Sequence, residues 1–361
     1  MNPSELLEFL VATPSISKQE GLLSMQLANA LRCEGFTVHQ RGNNLWFEVG
    51  QGGPRLLVNS HLDTVPPCDG WDTDPHVPEW REDRLYGLGA NDAKGCVAAM
   101  ISAALDLAKA PGDFPGTAVF AFTAEEEIGG QGIATILEEL GPLDAAIVGE
   151  PTGLKPCIAQ RGMLILRCVA RGESAHVAHA ALGDNAIHKA ARDIGKLAAK
   201  RFEGHALLGV TSPQVTTLHG GLSRNQVPDE AVFFVDLRTT PNLDHAAIAQ
   251  ELAAELESDV HIHSGRYLPK ATDPQQPIAR AALRAGDASF VGSHTTSDWA
   301  FLGGLPAVKA GPGDTHRSHR PNEYLTRTEL EAGCAFYARM IRAYFAEAAR
   351  AAQGKEVSHA K

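Results

Sequence analysis

Apolar residues recur at helical spacing over residues 4–10 and 21–34, with Pro14-Ser15-Ile16-Ser17 between them as a loop able to cap the second helix. The period then drops to two. Residues 36–39 and 45–49 form short β-prone runs around the turn signal Arg41-Gly42-Asn43-Asn44. Apolar runs at 55–59, 117–123 and 143–148 have the pattern of strands buried on both faces. Helical patterns at 94–108 and 132–140 alternate with them, whereas residues 66–83 are too polar and too broken by Pro and Asp to predict regular structure. This alternation predicts an α/β fold: a mostly parallel sheet with helices on both faces, in which loops at the carboxyl ends of strands hold ligands.

From Gly162 the pattern changes. Strand-like runs at 163–170, 214–218, 231–238 and 261–263 enclose helical patterns at 186–199 and 244–257. That β-α-β-β-α-β order predicts an α+β domain inserted into the first. Hinge chemistry at Gln160-Arg161-Gly162 and Leu268-Pro269 places its limits at 162–268, leaving 1–161 and 269–361 as a discontinuous first domain. A helix at 277–285, a short strand at 307–310, a long helix at 327–353 and a polar tail complete the chain.

Composition narrows the function. A length of 361 residues suits two domains of ordinary size. Lys and Arg number 32 against 43 Asp and Glu, a net charge of -11, which argues against nucleic acid or an anionic membrane as partner. No apolar stretch approaches the roughly 20 residues of a membrane span, and the N-terminal segment carries acids where a signal peptide carries a basic end. A cytoplasmic protein is expected. The six cysteines lack Cys-x-x-Cys spacing, so they read as reduced thiols.

Candidate chemistry collects where buried strands end. His61-Leu62-Asp63 follows one strand, and residues i and i+2 of an extended chain project together, so Asp63 can reach the second imidazole nitrogen of His61. Asp92 precedes a helix, Glu125-Glu126-Glu127 and Glu150 follow strands, and His319 lies in a Gly- and Pro-rich loop. Taken singly these are a helix cap, a solvated turn and surface charges. Together they supply two imidazoles and several carboxylates, the donors that a pair of zinc-like ions takes. Carboxylates also offset the repulsion of dications about 3.5–4 Å apart.

Those residues, with Thr13-Pro14-Ser15-Ile16-Ser17, Gly89-Ala90-Asn91-Asp92-Ala93-Lys94-Gly95 and Pro321-Asn322-Glu323-Tyr324, give the chain a resemblance to a known family. It resembles the dinuclear zinc amidohydrolases and exopeptidases that include acetylornithine deacetylase and succinyl-diaminopimelate desuccinylase. The resemblance implies that His61 and Glu150 hold one ion, Glu127 and His319 the other, and Asp92 both, with a cis peptide after Asp92. It implies zinc as the metal, replaceable by cobalt or manganese, Glu126 as general base and Asp63 behind His61. The family writes its acidic turn Asp-Glu-Glu; Glu125 departs from this outside the ligands.

The segment Gly172-Glu173-Ser174-Ala175-His176-Val177-Ala178-His179 is similar to the family's lid motif, which implies that His176 reaches the site of a neighbouring subunit in a homodimer formed through residues 162–268. Asn225 and Arg238 match segments that meet substrate, and Arg238 with the amides of Gly311 and Gly313, Ser297 lying near them in sequence, is expected to receive a substrate carboxylate. For Asp298, meeting a cationic side chain and capping a helix stay open, and His179 and His316 carry no assigned role.

The expected reaction is removal of a small acyl group from the nitrogen of an amino acid. N-acetylornithine, giving ornithine and acetate in arginine biosynthesis, is the nearest fit. Desuccinylation of succinyl-diaminopimelate or succinyl-ornithine, release of lysine from a carrier protein, and aminopeptidase or carboxypeptidase activity use the same machinery. A metal-free binding protein on this scaffold would be expected to lose Glu126 or a ligand, and the chain keeps them all.

Overall fold

A computed structural model describes residues 1–359 except 111, 113, 131, 287 and 288, with side chains described as far as Gln353. The chain divides into two compact units. The first comprises residues up to Ile158, Thr272–Val291 and the chain from Ser297 onwards; the second comprises Ala159–Ala271 and Gly292–Thr296. These divisions lie three residues outside the expected 162–268 at each end.

In the first unit the strands lie in the order His39–Arg41, Asn44–Gly50, Thr117–Thr123, Arg55–His61, Ala145–Val148, Ala307–Lys309 and Cys157–Gln160, of which last only Cys157 and Ile158 belong to this unit. The middle four are mutually parallel, and the flanking pairs are antiparallel. Register matters for the site. His61 pairs with Thr123, and Asn59 with Val148, so three parallel strands end together and deliver His61, the 125–127 turn and Glu150 to one edge. Every residue of Thr117–Thr123 is buried, as its unbroken apolar pattern predicts. Leu57, Val119, Ala146 and Val148 pack with Ile133, Ile136 and Trp299 in a core on one face. The alanine-rich helix Lys94–Ala108 is buried around most of its circumference.

Two expectations are corrected. The helix at 132–140 is only a 3-10 turn at Ile133–Thr135, continued by i→i+3 bonds such as Glu139 to Ile136. Ile133, Thr135 and Ile136 are β-branched and disfavour a helix, and burial of Ile133, Ile136 and Leu140 holds the chain down instead. The segment 66–83, expected to be irregular, contains the strand Glu79–Arg81, which pairs with Arg84–Tyr86 and through it with Tyr324–Thr326. The terminal helix, expected over 327–353, spans Arg327–His359. The tail's last two residues lie outside those described. Among the described residues no helix is long and apolar enough to cross a membrane.

The second unit carries an antiparallel sheet in the order Pro213–Gly220, Glu230–Thr239, Gly162–Arg171, Asp259–Tyr267. Helices Ala186–Ala199 and His245–Glu255 complete the predicted β-α-β-β-α-β order. Leu164, Leu166, Phe233, Val235 and Leu237 alternate inward onto Leu197, Ile248 and Leu252. Asn185 and Asp244 cap the two helices by accepting backbone N–H bonds. The Asp259–Tyr267 strand outruns its expected three residues. Its exposed, largely polar positions and two register shifts conceal it from a hydrophobic pattern.

Candidate metal centre

His61 ends its strand with Nδ1 3.0 Å from the backbone carbonyl of Asp63 and 3.4 Å from Asp63 Oδ1. An N–H at Nδ1 shared with these oxygens leaves the Nε2 lone pair for a ligand. Asp63 does more than the expected second contact to His61. Its carboxylate accepts the backbone N–H of Glu126 at 3.0 Å and of Glu127 at 3.1 Å, and the Ser17 hydroxyl at 2.6 Å. One buried carboxylate therefore fixes both the imidazole and the turn that presents Glu126 and Glu127. Glu20 fixes the same turn from its start, accepting the N–H of Glu125 at 3.1 Å.

Asp92 precedes a cis peptide to Ala93 and does not cap its helix: the cap position is Ala93, without a side-chain bond. Its carboxylate faces two ways. Oδ1 lies 3.4 Å from His61 Nε2, and Oδ2 lies 3.8 Å from His319 Nε2. His319, in a left-handed conformation at φ 60, places that same nitrogen 3.1 and 3.0 Å from the two Glu127 oxygens. Donor atoms of His61, Asp92 and Glu127 lie within 4.8 Å of one another, as do those of His61, Glu126 and Glu150.

The electrostatics calls for cations. Burial, then the Glu150 carboxylate, pushes Glu126 well above the usual carboxylate range. Burial raises Glu150 to about 7, opposed by Lys309, and raises Glu127 against its bond to His319. That bond in turn raises His319 to about 9. Acids that oppose one another's ionisation are relieved by a dication among them. Two imidazoles and carboxylate oxygens suit zinc, cobalt or manganese, so the donor set fits the implied metals.

The remaining expected site residues divide into several settings. In the second unit, Ala175–His176 pairs with Gln226–Val227, and the Val177 N–H donates to the Asn225 carbonyl at 3.0 Å, so His176 and Asn225 are neighbours. His176 Nδ1 accepts the Ala178 N–H at 3.1 Å. His179 lies beside it, ring centroids 6.4 Å apart. Arg238 is tied to Asp236 by bonds of 2.9 and 3.2 Å.

Gly311 donates its N–H to Thr152 Oγ1 at 3.2 Å, so that amide is already engaged. A Cβ on Gly311 would stand 2.5 Å from Cys96 Sγ and from the Tyr337 hydroxyl, and one on Gly313, at φ 92, would stand 2.4 Å from Asn91 Oδ1. Close packing explains both glycines. Ser297 is fully buried. Asp298 does not cap the helix it begins, where Ser297 holds the cap position; it accepts the Thr123 hydroxyl at 2.7 Å, and burial raises its carboxyl to about 6. The His316 N–H donates to Asp314 in a loop turn.

Residues 57–343 match the model of peptidase family M20/M25/M40. The chain belongs to that family. It is accordingly a hydrolase of the metal-dependent amidohydrolase type. A succinyl-diaminopimelate desuccinylase of Stenotrophomonas maltophilia is 32% identical, covering 92% of this chain and 96% of its own. One from Nitrosococcus oceani is 30% identical over 95% and 99%.

Among solved M20 structures, the metallo-carboxypeptidase of Sulfolobus solfataricus superposes with a TM-score of 0.73 at 20% identity, covering 95% of this chain and 98% of its own. A Bacillus subtilis protein described as a dinuclear metal binding peptidase gives 0.73 at 18%, over 94% and 96%. These share the mixed α/β fold.

Proposed function

We propose that the chain is a two-metal amide hydrolase that removes a succinyl group from the nitrogen of an amino acid such as diaminopimelate. N-acetylornithine, the nearest fit by motif, is the second reading. The observation that carries the two-metal reading is the Asp92 carboxylate, with one oxygen toward each histidine. His61, Asp92 and Glu150 would hold one divalent ion and Asp92, Glu127 and His319 the other, zinc being the leading candidate. When bound, the ions polarise the amide carbonyl and make a water acidic enough to ionise near neutral pH.

The chain's own residues do the rest. Glu126, held by its backbone N–H to Asp63, takes a proton from the attacking water and returns it to the amide nitrogen as the C–N bond breaks. The products are a carboxylate and a free amine. The succinyl assignment is supported by the desuccinylase relatives, which match over nearly the whole chain.

A substrate panel tests it: succinyl-diaminopimelate, succinyl-ornithine, N-acetylornithine and simple dipeptides, with the metal-loaded enzyme. Succinyl-diaminopimelate is expected to exceed acetylornithine by more than about tenfold in kcat/KM. The reverse order moves the assignment to acetylornithine, and cleavage of dipeptides alone ends the deacylase reading.

His176 and Asn225, adjacent in the second unit, are proposed to stabilise the tetrahedral oxyanion from the partner subunit of a homodimer formed through residues 162–268. Mixing inactive Glu126→Gln chains with inactive His176→Ala chains is then expected to restore part of the activity. No recovery in mixed dimers refutes action in trans.

A further inference from the structure

Glu323 belongs to the loop motif Pro321-Asn322-Glu323 and has no part in the reaction above. It is 2% exposed, and its carboxylate is bonded to backbone N–H groups. Oε2 accepts the N–H of Gly89 at 3.1 Å, and Oε1 accepts those of Asn91 at 2.8 Å and Asp92 at 2.9 Å. The bond returns through the main chain, the Gly87 N–H donating to the Glu323 carbonyl at 3.0 Å. Asn91 completes the seam. Its carboxamide donates to the Asp314 carbonyl and the Ser318 hydroxyl and accepts the Asp314 N–H, at 3.1, 3.3 and 2.9 Å. The loop bearing Asp92 and the loop bearing His319 are thus joined at the point where both present their side chains.

Three N–H groups converging from one tight turn need an acceptor with two oxygens and no hydrogens. A carboxylate meets that need, while the isosteric amide of Gln would turn an NH2 against one of the donors. We infer that Glu323 is a positioning residue, aiming the Asp92 carboxylate at its two histidines through the backbone of residues 89–92. The inference rests on the reading of Asp92 as the ligand shared by two ions.

The test follows metal retention in the loaded full-length protein. Zn2+-loaded chains are dialysed against a graded chelator series, and Co2+-loaded chains are examined by visible absorption, which reports ligand geometry without any substrate. Glu323→Gln is expected to release metal at about tenfold lower chelator concentration, the usual scale for groups that orient a ligand, and to shift the Co2+ bands. Glu347→Gln is the control: that buried carboxylate, held by Arg280, Arg284 and Arg350 remote in sequence from every ligand, should lower the thermal midpoint without moving chelator release or spectrum.

Unchanged release and spectrum in folded Glu323→Gln overturns the inference. If that variant does not fold, Glu323→Asp, which keeps the charge but falls short of the three donors, is read by the same criteria. Asp92→Ala separates the two levels: retention of both ions there refutes the shared-ligand reading, whereas loss there with Glu323→Gln unaffected refutes the positioning role alone.

Discussion

Glu126→Gln lowers kcat by about a hundred- to ten-thousand-fold while both ions stay bound: that is the result expected if Glu126 moves the proton and does not hold metal. The geometry makes this a demanding test, because Glu126 also lies in a donor group with His61 and Glu150. A Gln side chain keeps the shape and the backbone bond to Asp63 but has no lone pair basic enough to take a proton from water. Elemental analysis beside kinetics decides between the roles. Loss of one ion in Glu126→Gln exchanges the assignments of Glu126 and Glu127.

Asp92→Ala is expected to leave at most one ion per chain and no measurable turnover. Glu127 bonds His319 with both oxygens and Glu150 groups with His61, whereas Asp92 turns one oxygen toward each histidine. Removing it takes one donor from each ion and the negative charge between two dications, so the pair is destabilised together. The metal content of the purified variant, with activity after adding excess zinc, measures this. Two ions retained with activity restored would show that the carboxylate is not shared.

Much of the fold was legible in the chain because its signals are local. Apolar runs within 55–59 and 117–123 mark strands covered on both faces, and alternation through 163–170 and 231–238 marks strands with one buried face. The failures are local conflicts won by tertiary packing. Residues 132–140 have helical spacing, but β-branched residues beside a waiting core give a 3-10 turn. The strand Glu79–Arg81 has too little apolar pattern to announce itself, and pairing with partners brought from elsewhere creates it. Asp298 was ambiguous for the same reason: its partner, Thr123, is 175 residues away in sequence.

The sequence by itself determined the order of the elements, the α/β class with its α+β insertion, and which residue types stand at the ends of buried strands. Periodicity and side-chain chemistry are written residue by residue, and a family resemblance supplied roles for them. Tertiary structure alone decided which atoms face one another. Register between parallel strands set His61 beside the 125–127 turn, the Asp63 carboxylate went to backbone N–H groups as well as to its histidine, and Glu323 closed on a loop 231 residues away in sequence. Hydrogen bonds between distant segments depend on the whole packed chain, so no local pattern encodes them.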